Sequence, residues 1–118
     1  MVVGFSDLPG DSAASPNYHA FRWTKTGGIE DLGTLPGDSL SIAWSVNEQG
    51  QIVGQSIGSS GSRAVIWQNG VITDLNTLIP AGPVSLVYAN DINVAGEIVG
   101  GASNSVTGIT PAFLALPR

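Results

Sequence analysis

Gly50-Gln51-Ile52-Val53-Gly54 opens the stretch that decides the fold, and Arg63-Ala64-Val65-Ile66-Trp67-Gln68-Asn69-Gly70-Val71 completes it. Both apolar segments are short, rich in β-branched and aromatic residues, and bounded by Gly, Asn and Ser, which reads as strand, turn, strand. Asn69-Gly70 between Gln68 and Val71 is the signal of a type I′ hairpin, because both central residues must take positive φ. Moving outward, the same pieces recur. Val2-Val3-Gly4 and Ile98-Val99-Gly100 match Ile52-Val53-Gly54 at offsets of 50 and 46. His19-Ala20-Phe21-Arg22-Trp23 and Pro111-Ala112-Phe113-Leu114-Ala115 match Arg63 to Trp67 at offsets of 44 and 48. Asp31-Leu32-Gly33-Thr34-Leu35 returns as Asp74-Leu75-Asn76-Thr77-Leu78, and Ala43 to Gly50 returns as Ala89 to Gly96. Four landmarks in one order, at nearly one spacing, predict an internal repeat of about 46 residues.

No segment sustains apolar residues at i, i+3, i+4 and i+7, so essentially no helix is predicted. The expected fold is all-β. Its antiparallel four-stranded units resemble β-propeller blades in size, with about two and a half units per chain. The strands number three, then four, then three, in a single repeat domain spanning 1–118, with units of roughly 1–40, 41–84 and 85–118. Rings of this kind usually need roughly four to eight blades. Two and a half units leave strand edges unpaired, which fits a different all-β packing such as a three-sided prism or a sandwich, a piece of a longer array, or, as the favoured expectation, a homo-oligomer assembled through those edges.

The motifs that define the repeat also resemble a known family. His19-Ala20-Phe21-Arg22-Trp23 followed by Asp31-Leu32-Gly33-Thr34-Leu35 is similar to the repeat of the HAF family of bacterial extracellular repeat proteins. Val46-Asn47 with Gly50-Gln51-Ile52-Val53-Gly54, and Ile92-Asn93 with Gly96-Glu97-Ile98-Val99-Gly100, match the opening elements of that repeat. The resemblance covers nearly the whole chain. It departs from the family pattern where Arg63 and Pro111 stand in place of the histidine. It implies a propeller-like repeat fold, an extracellular or cell-surface location, and no catalytic residues to carry over.

Composition narrows the function. The chain has 118 residues, 42% of them apolar, which suits one folded domain of 12.1 kDa despite 16 Gly and 7 Pro. Four Lys+Arg against nine Asp+Glu leave a net charge of −5, so there is no basic stripe for nucleic acid or for an anionic membrane surface. No apolar run reaches the length of about 18 residues that a membrane span needs, and no signal peptide is read at Met1. The absence of cysteine excludes disulfides, thiolate metal sites and cysteine nucleophiles.

Chemistry enters at a few positions. Gly54-Gln55-Ser56-Ile57-Gly58 fits G-x-S-x-G, the nucleophile elbow of serine hydrolases. A small esterase-like hydrolase would need Ser56, His19 and a carboxylate such as Asp74 or Asp31 to converge. The elbow also needs a helix after the strand, and none is predicted. Gly54 and Gly58 read more simply as strand and turn glycines. His19 is the lone histidine and has no second His or Cys to join in a metal site, so no metal and no cofactor is expected. Asp11 and Asp38 follow similar Leu-Pro-Gly turns. They offer oxygen ligands of the kind Ca²⁺ takes, without the spacing of a calcium loop. A carboxylate pair for glycoside hydrolysis needs a separation that sequence does not give. Trp23 and Trp67 occupy matching places and read as packing between sheets. Trp44 has no aromatic counterpart, since Asn90 stands at its match. Trp44, Asn90 and Asp91 are therefore the candidate ligand-binding residues, with a glycan or a protein as ligand. The function read from sequence is a non-catalytic extracellular module for binding or assembly.

Overall fold

Asn69 at φ 53° and Gly70 at φ 77° build the tight hairpin their sequence predicts. The computed structural model describes residues 1–117. Ten strands follow in order: β1 (Val2–Asp7), β2 (Tyr18–Thr24), β3 (Gly28–Asp31), β4 (Leu40–Val46), β5 (Ile52–Gly58), β6 (Gly61–Gln68), β7 (Val71–Asp74), β8 (Val84–Ile92), β9 (Ile98–Asn104) and β10 (Ala112–Ala115). Each pairs with its neighbour in the chain, giving three antiparallel sheets: a first of β1-β2-β3, a middle of β4-β5-β6-β7 and a last of β8-β9-β10. Apart from strands there is, among the described residues, one 3-10 turn, Leu75–Leu78, whose start is capped by the Asp74 carboxylate accepting from Asn76 N. The three sheets are separate. Among the described residues no strand pairing joins them or closes them into a ring.

Side chains alternate across a strand, and the middle sheet uses both faces. Ile52, Val65 and Trp67 bury against Ala20 and Leu35 of the first sheet and its following loop. Val53 and Ala64 bury against Leu86, Ala89 and Ile98 of the last sheet. A strand covered on both faces reads as a continuous apolar run, which is why Ala64-Val65-Ile66-Trp67 shows no polar alternation. Val53 and Val65 have no exposed surface, and each contributes about 1.5–3 kcal/mol of burial.

The leading strands lie close together. β4 packs across β1 and β2, β8 packs across β5 and β6, and β4 touches β8. No comparable contact joins β3, β7 and β10. The sheets therefore converge along β4 and β8 and splay at their other edge, within a flat body of 43 × 38 × 19 Å.

The leading strands also explain the glycine of the Ile-Val-Gly motif. A bulge in β4 between Ala43 and Ser45, and one in β8 between Ala89 and Asp91, insert Trp44 and Asn90 as extra residues. The bulged backbone presses on the next strand. A Cβ on Gly54 would overlap the Ile42 carbonyl oxygen, and one on Gly100 would overlap that of Tyr88.

Candidate functional site

Two groups of polar side chains stand out: a buried junction between the first and middle sheets, and the exposed leading edge. Ser56 lies in β5 with its side chain on the face that meets the first sheet, and it is fully buried. Its Oγ accepts from Leu35 N at 3.0 Å and donates to Asp38 Oδ2 at 2.7 Å. The same Asp38 oxygen accepts from Arg63 Nη2 at 3.0 Å. Arg63 Nη1 reaches Asp74 Oδ2 at 3.4 Å. Asp38 is nearly buried, so its charge rests on the Arg63 guanidinium and the Ser56 hydroxyl. Ser41, also fully buried, works alongside: its Oγ accepts from Ala20 N at 2.8 Å and donates to Gly33 O at 2.7 Å. These two hydroxyls give partners to backbone groups that stacking takes away from water.

The residues of the hydrolase alternative do not come together. Ala20 faces the middle sheet, so its neighbour His19 lies on the opposite face of the first sheet, away from Ser56. His19 Nδ1 sits 2.9 Å from Asp31 Oδ1. Asp74 pairs with Arg63 and caps the 3-10 turn. The carboxylate that reaches Ser56 is Asp38, and β5 leads into β6 rather than into a helix. The two turn aspartates are also engaged: Asp11 Oδ1 accepts from Asn17 N at 2.6 Å, and Asp38 is held as above.

The exposed edge is built differently. Trp44 is 49% exposed at the β4 bulge. Its Nε1 donates to Gln55 Oε1 at 2.9 Å, Gln55 Nε2 donates to Ser62 Oγ at 3.0 Å, and Ser62 Oγ donates to Val87 O at 2.8 Å. That chain fixes one edge of the indole and leaves much of the ring in solvent. Ser45 Oγ donates to Asp91 Oδ1 at 2.8 Å, which ties β4 to β8 beside the two bulges. Asn90 is exposed, and among the described residues its amide makes no hydrogen bond. The structure thus places Trp44, Asn90 and Asp91 along one edge made of two neighbouring strands. Trp67, in contrast, is buried with its Nε1 donating to Leu32 O at 2.9 Å.

Sequence reading missed Ser41, Asp38 and Arg63 as members of the junction. A cleft of about 590 Å³ opens on the other side of Arg63, between the middle and last sheets, lined by Ser60, Ser62, Asn76, Val84 and Ser85 among others. Asn76 joins those sheets across it, donating to Leu86 O at 3.0 Å and accepting from Leu86 N at 2.7 Å. No family model, curated protein or solved structure matches this chain.

Proposed function

We propose that the protein is a non-catalytic module for binding and assembly, located outside the cell or at its surface, with its sheets acting as propeller-like blades. One observation carries this reading. The groups a hydrolase would use are engaged apart from one another, Ser56 with the loop between the first and middle sheets, His19 with Asp31 and Asp74 with Arg63, while exposed Trp44, Asn90 and Asp91 lie on β4 and β8. Ser56 holds Leu35 N and Asp38, and His19 faces the other way. The convergence of the leading strands supports the blade reading, and the HAF-type motifs support the location. Assembly follows from the unpaired edges of β1 and β10.

The ligand of the edge is a neutral glycan. Trp44 is 49% exposed, which leaves indole surface for a sugar ring to stack on, and Asn90 on the neighbouring β8 is an exposed amide. The test is binding to a glycan panel by wild type and Trp44→Ala. The expected result is a binder whose affinity falls about tenfold in the variant, the ~1.4 kcal/mol of one stacked aromatic. Binding that is unchanged by the substitution removes the edge as the site. Generic ester hydrolysis that is present in wild type and lost in Ser56→Ala would overturn the non-catalytic reading.

A further inference from the structure

We infer that the outward face of the first sheet takes the outward face of the last sheet of a second copy, so that two chains stack head to tail. The inference rests on the reading above that copies of the chain assemble, and it places their contact on sheet faces rather than on strand edges.

The two interfaces inside the chain supply the template. On the middle sheet, Ile52, Trp67 and Ile72 stand in one cross-strand row, and the first sheet covers it. Val53 and Ile66 form a row on the opposite face, and the last sheet covers that. Each contact therefore joins unlike faces. Alternation repeats both rows on the outer sheets. Val2, Trp23 and Ile29 are aligned across the first sheet, on the face opposite Ala20. They match Ile52, Trp67 and Ile72, yet they lie open: Trp23 is 43% exposed where Trp67 is 3% exposed. On the last sheet, Val99 and Leu114 are aligned and match Val53 and Ile66. Both are exposed, Leu114 by 62%. The three sheets thus leave open one face of each kind, and the unlike pair is the pair that packs twice inside the chain.

Polar groups repeat in the same place. Arg63 pairs with Asp74 on the covered face of the middle sheet, opposite Ser56. His19 pairs with Asp31 on the open face of the first sheet, opposite Ser6. On the middle sheet, buried Leu35 sits over this spot with its N–H on Ser56 Oγ. On the first sheet the matching spot is an open hollow of about 270 Å³, lined by Ser6, His19, Phe21, Ile29 and Asp31 among others. An unfilled hollow between an apolar row and the His19–Asp31 hydrogen bond is what an uncovered copy of that interface looks like.

Contacts between unlike faces either close into a ring or run on as a filament. Two copies bring six sheets, within the roughly four to eight that closed rings use. Two copies therefore suffice to cover all four outward faces.

The experiment is sedimentation velocity over a concentration series on wild type, Trp23→Asp, Leu114→Asp and an equal mixture of the two variants, with circular dichroism checking that each stays folded. Both positions lie on open faces and neither belongs to the two buried core clusters. Wild type is expected at about 24 kDa, twice 12.1 kDa, and each variant alone at the single-chain mass. The mixture is expected to associate again, because one intact pair of unlike faces survives between the two variants. A Leu114→Asp variant that still dimerises while Trp23→Asp does not would mean like faces meet, and overturns the inference. Dimers unaffected by either change would leave edge-to-edge assembly standing and sink face packing. A mixture that stays dissociated also contradicts it. A wild type that is monomeric throughout removes both readings.

Discussion

Gly54 is where one missing β-carbon permits the whole arrangement. The bulge at Trp44 pushes the Ile42 carbonyl against it, so Gly54→Ala is expected to destabilise by about 1–3 kcal/mol, read as a lower urea midpoint. Gly100→Ala, pressed by Tyr88, is expected to behave alike, whereas Gly82→Ala meets open space and is expected to stay within about 0.5 kcal/mol. Equal costs at all three positions would contradict the close approach. Ser56→Ala strands Leu35 N in the interior and is expected to cost about 1–3 kcal/mol. The sequence announced the glycine as a repeated landmark but not its reason, because the neighbour that crowds it lies on another strand. Ser56 was legible only as a motif. Its role depends on a loop 21 residues earlier folding over it, which local spacing does not encode.

Among elements, turns and strands were the most legible because their determinants are local. Asn69-Gly70 made its hairpin, and the recurring Asn47–Gly50 and Asn93–Gly96 turns formed alike, each closed by a bond from the glycine N–H back to the asparagine carbonyl. The asparagine side chains act within these turns, Asn47 Oδ1 accepting from Gln49 N and Gln51 N, and Asn93 Oδ1 from Ala95 N and Glu97 N. They differ in one respect: Asn47 Nδ2 also donates to Asn93 O at 3.0 Å, fastening one turn to the next. Asn47→Ala is therefore expected to lower stability by about 1 kcal/mol more than Asn93→Ala, the net worth of one hydrogen bond. Paired urea titrations measure the difference, and equal losses would show that the link between turns carries no stability.

For the whole molecule, the repeat pointed to strands in groups of three, four and three, which the three sheets match, and to propeller-like blades, whereas among the described residues no strand pairing closes the sheets into a ring. Periodicity tells which residues share a face, not which sheet covers that face. Nothing local shows that Ile52 meets the first sheet while Val53 meets the last. The same gap hid the Ser56–Asp38–Arg63 junction, whose members come from a turn and two strands. Trp44 stood out because its match is Asn90, and both proved to be exposed bulge residues. Stacking leaves the middle sheet covered on both faces and each outer sheet on one, and the open outer faces are those proposed above to meet a second copy. The most direct test of that account is the absolute mass in solution, by light scattering across a dilution series. A discrete species near twice 12.1 kDa that dissociates only on dilution is the expected result; a constant 12.1 kDa at every concentration would contradict packing through the outer faces.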